Sequence, residues 1–140
     1  MRLWLCWGML VCGALGAGCG SNNDKDPLAK FAGWYDVTEA FANQVGVQCP
    51  PEPTQIVENT VEVRVDGNEF EARFTDRWDV LKGEIREDAT FLSVGNLGPD
   101  ASLRFTGHFE ETTLIGSLDD VKGAGCTRTF SVNGLLRGAE

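Results

Sequence analysis

The sequence predicts an all-β fold: an antiparallel up-and-down meander of about seven or eight strands closing into a small barrel, with a β-sandwich as the alternative. Three observations predict it. From Gly33 onward, apolar and polar residues alternate with the period of two that strands require. Long helical patterns are missing from this region, and turn residues separate its apolar segments. A length of 140 residues allows one domain of ordinary size.

A short helix is predicted before the first strand. Asp26 is a residue type that caps helix N-termini, and Pro27 suits the first helical position. The first strand then begins near Gly33. Prolines fill three of the four positions 50–53, which predicts an extended loop there because proline cannot donate to a sheet ladder.

The first hairpin is predicted around Asp66-Gly67, which stands between the alternating segments 61–65 and 68–74. Asp-Gly favours a type I′ turn, in which both central residues have positive φ. A two-residue loop at this position puts Val63 opposite Phe70. Apolar side chains then share one face and charged side chains the other.

A second hairpin is predicted with Glu111-Thr112 as its loop. Its register pairs three sets of residues on one face: Phe109 with Leu114, Gly107 with Gly116, and Phe105 with Leu118. Opposed glycines on an inner face indicate a bend or a close approach. Further strands are predicted near 78–86, 90–97 and 127–136. Alternation makes Trp78 a core residue, although an exposed aromatic anchor for a partner is the alternative.

The interior of the predicted barrel also supplies the candidate ligand-facing residues. These ten apolar positions are Val61, Val63, Phe70, Phe74, Phe105, Phe109, Leu114, Leu118, Phe130 and Val132. A barrel of about eight strands either fills itself with side chains or holds one small ligand. The phenylalanines favour filling, whereas Ala72 and the opposed glycines leave room. We expect a packed interior, with a hollow one as the alternative.

The N-terminus has the pattern of an export signal. Arg2 precedes an uncharged, mostly apolar run over residues 3–15, too short to span a bilayer but suited to a signal peptide. Leu15-Gly16-Ala17-Gly18-Cys19 then resembles the lipobox of bacterial lipoproteins, with Leu15 one position earlier than usual. That resemblance implies cleavage before Cys19, whose sulfur carries diacylglycerol and whose amine carries an acyl chain such as palmitate. An ordinary secretory signal and an uncleaved anchor are the alternatives.

The resulting organisation has three parts. Residues 1–18 are the predicted signal peptide, 19–27 a polar flexible tether, and 28–140 a single barrel domain. Three acyl chains would hold the chain firmly to a membrane. By resemblance to the family, Gly20 after the lipidated cysteine implies the outer membrane, with the domain facing the periplasm or the cell surface.

The cysteines predict one disulfide. Cys6 and Cys12 leave with the signal and Cys19 accepts lipid, so Cys49 and Cys126 remain in the folded part. An exported protein occupies an oxidising compartment, which favours a Cys49–Cys126 bond. A metal or redox site is the weaker alternative, because the chain has no CxxC motif and one histidine.

The start of the domain carries a second resemblance. Phe31-Ala32-Gly33-Trp34-Tyr35 is similar to the G-x-W-Y signature of lipocalin-type, or calycin, barrels, although no residue separates Gly33 from Trp34. In that family the signature follows a short helix and opens the first strand. The resemblance implies that Arg137 packs on Trp34 as the closing arginine.

No motif in the chain points to catalysis. His108, the single histidine, is predicted on the outer face. Acidic residues at 110–111 and 119–120, and along one strand face at Glu62, Glu69 and Glu71, suit a soluble surface better than a hydrolase or a calcium site. We therefore expect no enzyme activity, no cofactor and no metal. A formal charge of −9 argues against nucleic acid as a partner.

These observations support three functional hypotheses. The first is a lipid-anchored, non-enzymatic envelope lipoprotein whose barrel binds a partner or a small apolar ligand. The second is a solid-core structural or accessory subunit, or a protein inhibitor, whose acidity steers it toward a basic partner. The third and weakest is a hydrolase that uses acidic residues such as Asp119.

Overall fold

Eight strands connected in chain order make up the structure. The computed structural model describes residues 26–77 and 79–138. The predicted signal 1–18, the lipidation residue Cys19, most of the tether 19–27 and Trp78 lie outside the described residues. The strands are β1 (Gly33–Val45), β2 (Val57–Asp66), β3 (Glu69–Phe74), β4 (Val80–Ile85), β5 (Thr90–Gly98), β6 (Ala101–Glu110), β7 (Thr113–Lys122) and β8 (Cys126–Leu136).

The strands close into a barrel. Each pairs antiparallel with the next along the chain, and β8 returns to pair with β1. The predicted all-β antiparallel meander is confirmed, as a closed eight-stranded barrel rather than a sandwich. Closure pairs every strand on both sides, so the barrel contains its complete hydrogen-bond ladder and its own core.

The first hairpin differs from its predicted register. Its two-residue loop is Gly67-Asn68 rather than Asp66-Gly67, and Val63 pairs with Ala72 instead of Phe70. Gly67 has φ 60°, whereas Asn68 does not have positive φ, so the predicted type I′ turn is wrong. Because the register moves by two residues, every side chain keeps its predicted face.

The second hairpin has the predicted register, including the opposed pair Gly107 and Gly116. A Cβ atom added to Gly107 would lie 2.8 Å from Cζ of Phe91. One added to Gly116 would lie 2.7 Å from Cε2 of Phe105. The two glycines therefore leave room inside the barrel for two aromatic rings.

The predicted N-terminal helix is only one 3-10 turn, Ala29–Phe31, which we call the plug turn. The predicted cap is wrong, because Leu28 and not Asp26 is the residue just before the turn; the Asp26 Oδ1 instead accepts a hydrogen bond from the Leu28 amide at 3.0 Å. Ala32 is already extended, which ends the helical run before the first strand. The plug turn covers the end of the barrel where β1 begins, here called the plug end. The opposite end is called the polar end.

The predicted disulfide between Cys49 and Cys126 is confirmed. It lies at the polar end and joins the loop after β1 to the first residue of β8. The same loop is held by Arg128, whose Nη2 donates to the carbonyl oxygens of Pro50 and Pro51 at 3.2 and 2.7 Å. The proline-rich segment is thereby fixed to the sheet although it forms no strand.

Candidate functional site

The ten candidate ligand-facing residues all belong to the core region. Nine are buried, and Phe130 is half-buried against the core. Other buried residues on the same inner face were not among those predicted from the sequence, among them Tyr35, Val37, Leu81, Ile85, Phe91 and Leu103. Their alternating positions in β1, β4, β5 and β6 are the signal that could have identified them.

Aromatic rings fill the middle of the barrel. Phe70 stacks on Phe91 with ring centroids 4.5 Å apart, and Phe91 lies 4.8 Å from Phe105. Phe105 in turn meets the edge of Phe74 at 5.2 Å. These rings from β3, β5 and β6 pack against one another in the interior of the barrel. The interior is a packed core at this level.

The plug end is closed by apolar contacts. Phe31 of the plug turn stacks on Phe109 at 4.7 Å, and Leu28 beside it is also buried. The Tyr35 hydroxyl donates to the carbonyl oxygen of Phe31 at 2.9 Å, which fixes the plug turn to β1. Burial raises the pKa of the Tyr35 hydroxyl to about 12.

The polar end is closed by an ion pair inside the barrel mouth. Glu39 points inward from β1 and is 3% exposed. Arg77, from the loop after β3, donates to both of its carboxylate oxygens at 2.9 and 3.1 Å. The guanidinium carbon lies 5.1 Å from the centroid of Phe74, so the ion pair sits directly on the aromatic core.

Two neighbours complete this ion pair. Asn59 Nδ2 donates to Glu39 at 3.1 Å and also to Asp76, and Asp76 accepts from Arg77 at 3.1 Å. Burial by itself would lower the pKa of Arg77, but hydrogen bonds and the charge of Glu39 outweigh it and raise that pKa. Arg77 therefore stays charged and holds the mouth of the barrel closed.

The Glu39–Arg77 pair was not predicted from the sequence. One signal was available, because Glu39 continues the inward series of Tyr35 and Val37, and a carboxylate on an inner face needs a partner. The partner itself lies 38 positions further along the chain. Only the closed barrel brings the two together.

The candidate catalytic residues are not brought together into a site. His108 is partly exposed and contacts Glu110 of the same strand at 3.1 Å. Asp119 accepts a hydrogen bond from Thr129 on the outer face, whereas Asp120 points inward and is 9% exposed. Across residues 26–77 and 79–138, no group of three or more histidine, cysteine, aspartate or glutamate side chains is arranged to hold a metal ion.

Arg137 does not fill the closing role that the calycin resemblance implies. Its Nε donates to Asp36 Oδ1 at 2.8 Å and its Nη2 to Thr60 Oγ1 at 3.1 Å. That hydrogen bond lowers the pKa of the Asp36 carboxyl. No cation–π contact with Trp34 occurs in the described part of the chain, and the Trp34 side chain stays 43% exposed. The two residues are joined through their backbones, since the Arg137 amide donates to the Trp34 carbonyl oxygen at 2.8 Å.

A groove of about 340 Å³ runs along the outer face of β4, β5 and β6. Leu92 and Val94, each 42% exposed, give it an apolar floor. Its other lining residues include three cations and one carboxylate: Lys82, Arg86, Arg104 and Glu84. The excess of positive charge contrasts with the formal charge of −9 of the whole chain.

Comparison of the chain with protein-family models, with curated proteins and with solved structures found no match. Among the described residues, no helix has the length and hydropathy needed to cross a membrane.

Proposed function

We propose that the chain is a lipid-anchored, non-enzymatic lipoprotein of the bacterial envelope that binds a partner with the outer surface of a solid barrel. The filled interior carries this proposal. Phe70, Phe91 and Phe105 pack against one another in the interior of the barrel, and both of its ends are closed. This arrangement favours the solid-core hypothesis over an apolar ligand inside the barrel, and it leaves binding to the outer surface.

The proposed anchor rests on the sequence. The lipobox-like residues 15–19 provide the lipid acceptor Cys19, and Gly20 favours the outer membrane. Residues 19–25 precede the described chain and reach at most about 25 Å when fully extended. Because the plug turn follows Asp26 almost directly, the proposed tether joins the barrel at its plug end.

The anchor is tested with the full chain expressed in a Gram-negative host that is fed radiolabelled palmitate. We expect wild-type protein to carry label, to fractionate with outer membranes and to have the mass of a chain that starts at an acylated Cys19. The Cys19→Ser variant should lose label. Cys12→Ser, which changes a cysteine inside the signal, is the matched control and should keep it. Equal labelling of wild type and Cys19→Ser would refute the anchor.

The outer binding surface is tested by crosslinking in intact cells. A photoreactive residue is placed at one outward position at a time, such as Glu58 on β2 or Val94 on β5. We expect at least one position to give a recurrent adduct with one protein or one lipid, identified by mass spectrometry. If the chain is recovered without adduct from every outward position, the proposal is wrong.

A further inference from the structure

The outer groove over β4, β5 and β6 combines features that point to a ligand. Its volume of about 340 Å³ falls within the range of small-molecule sites. It has an apolar floor, and it gathers three cations in a chain with only 12 lysines and arginines against 21 acids. Carboxylates stand next to the main row of cations on its two outer sides, Glu71 opposite Lys82 and Asp119 opposite Arg104, so the positive charge is concentrated within the groove itself.

The strand register orders these residues along the groove. Lys82, Val94 and Arg104 lie side by side on three neighbouring strands, so two cations flank one apolar residue. In the next row toward the plug end, Leu92 lies between Glu84 and Thr106. The groove therefore has two cations at its Val94 end, an apolar middle at Leu92, and the single cation Arg86 beside Thr90 at its other end.

The cations are available to a ligand. Arg86 and Arg104 form no ion pair within the described residues. Lys82 meets Glu71 at 3.5 Å, and both side chains are exposed, so this contact is weak. Lys82 and Arg104 stand two strands apart, about 10 Å, which long side chains span to reach one anion between them.

We propose that this groove binds a small amphiphile with an anionic head and a short apolar body. The head lies between Lys82 and Arg104 above Val94, where charge-assisted hydrogen bonds are available. The body lies along Leu92 toward Thr90. Glu84 repels an anion from the middle of the groove and so sets the direction of the ligand.

This inference rests on the proposed function only in placing binding on the outer surface; it does not require the lipid anchor. The test therefore uses the mature chain, exported with a cleavable secretory signal in place of residues 1–18 and carrying Cys19→Ser. Thermal unfolding of each variant first establishes that the barrel is intact. Failure of the anchor experiment leaves this test unaffected.

Decyl phosphate is titrated below its micelle concentration, followed by calorimetry and by amide chemical shifts. We expect one molecule per chain, with shifts concentrated at Lys82, Leu92, Val94 and Arg104. Decyl glucoside, which has the same apolar body and a neutral head, should bind at least about tenfold more weakly, the ratio that one lost charge-assisted hydrogen bond produces.

Two variants locate the head group. Arg104→Gln should weaken decyl phosphate binding about tenfold, whereas Val94→Glu, which puts a carboxylate between the cations, should abolish it. Arg64→Gln is the matched control, because it removes the same charge from the outer face of β2 and should leave affinity unchanged.

Three results would overturn the inference. They are equal affinity for the phosphate and glucoside amphiphiles, equal loss in Arg104→Gln and Arg64→Gln, and binding to phosphatidylglycerol vesicles without binding to monomeric decyl phosphate. The last result would assign the groove to a membrane surface. If the groove binds nothing while a crosslink forms at Glu58, the inference fails and the proposed function stands.

Discussion

The two ends of the barrel are closed by opposite kinds of chemistry. At the plug end, Phe31 stacks on Phe109 and buries apolar surface. At the polar end, the Glu39–Arg77 ion pair lies over the ring of Phe74. The first closure depends on the burial of apolar area, whereas the second depends on charge and on hydrogen bonds between ionised groups. One barrel therefore combines an apolar closure with an ionic one.

The ends also differ in how completely polar groups are satisfied. Three buried side-chain atoms lack a hydrogen-bond partner within the described residues, and all three lie toward the polar end: Gln44 Oε1, Asp120 Oδ1 and Arg128 Nε. They stand side by side across β1, β8 and β7. An unsatisfied buried group costs free energy, so we expect local opening to start at this end and amide exchange to be fastest there.

The largest effect is expected at the plug end. Phe31→Ala removes the ring that stacks on Phe109 and should lower the free energy of unfolding by about 4 kcal/mol. Chemical denaturation measures the loss, which should be the same at low and high salt. Phe41→Ala, a half-buried phenylalanine whose ring lies 6.1 Å from Phe130, is the matched control and should cost about half as much. A similar cost for both variants would mean that the plug is no more stabilising than an ordinary side contact.

A smaller effect is expected at the polar end. Glu39→Gln leaves Arg77 with Asp76 as its remaining anion and should lower the free energy of unfolding by about 3 kcal/mol. Glu58→Gln, exposed on the neighbouring strand, should have almost no effect.

The double variant Glu39→Met with Arg77→Met sharpens this result. Replacing both residues by methionine removes the ion pair without leaving Arg77 as an unpaired charge. The free energy of unfolding should therefore return to within about 1 kcal/mol of wild type. If the double variant is as unstable as Glu39→Gln, then the charge pairing is not what closes this end.

The smallest effect is a loss of folding stability at alkaline pH, and it arises at the plug end from Tyr35. The pKa of Tyr35 is 10.0 without burial and about 12 in the barrel. Because the folded value is higher, its contribution is complete below pH 10 and is lost as the pH rises toward 12, by roughly 2 to 3 kcal/mol in all. Tyr35 is the only tyrosine, so the ultraviolet absorbance of tyrosinate follows it directly.

Tyr35→Phe is the control for this pH dependence. It should be less stable than wild type at neutral pH, because it loses the bond to the Phe31 carbonyl, and it should lack the added decline above pH 10. An absorbance midpoint at the ordinary tyrosine value would contradict the burial of this hydroxyl.

Local patterns made most of the fold predictable. Alternation identified the inner face correctly even where the register was wrong, because a shift of two residues conserves the face of every side chain, as in β2 and β3. The turn itself was misplaced by one residue, since Asp-Gly and Gly-Asn both offer a glycine for a positive φ. The disulfide followed from the cysteine count together with the predicted export signal, which sets aside three of the five cysteines and implies an oxidising compartment.

Features that depend on closure could not be predicted. Arg77 pairs with Glu39 because the loop after β3 reaches across the mouth of the barrel toward β1, which no local pattern encodes. The groove is similar: Lys82 and Arg104 are 22 positions apart, and only the β4–β5–β6 register places them on either side of Val94. Ion pairs and grooves between strands depend on the register of neighbouring strands. The sequence predicted the order of the strands but not the register of β4, β5 and β6.

The opposed glycines have a consequence for engineering. Gly107 and Gly116 contribute no side chain at their level of the barrel, and the rings of Phe91 and Phe105 use the space instead. The free volume at this level of the interior is therefore limited by two rings, either of which a single substitution can shorten. Replacing Phe91 or Phe105 by alanine would open a cavity about the size of the ring removed beside these glycines, at a cost of about 3–5 kcal/mol, with the plug turn and the ion pair still in place.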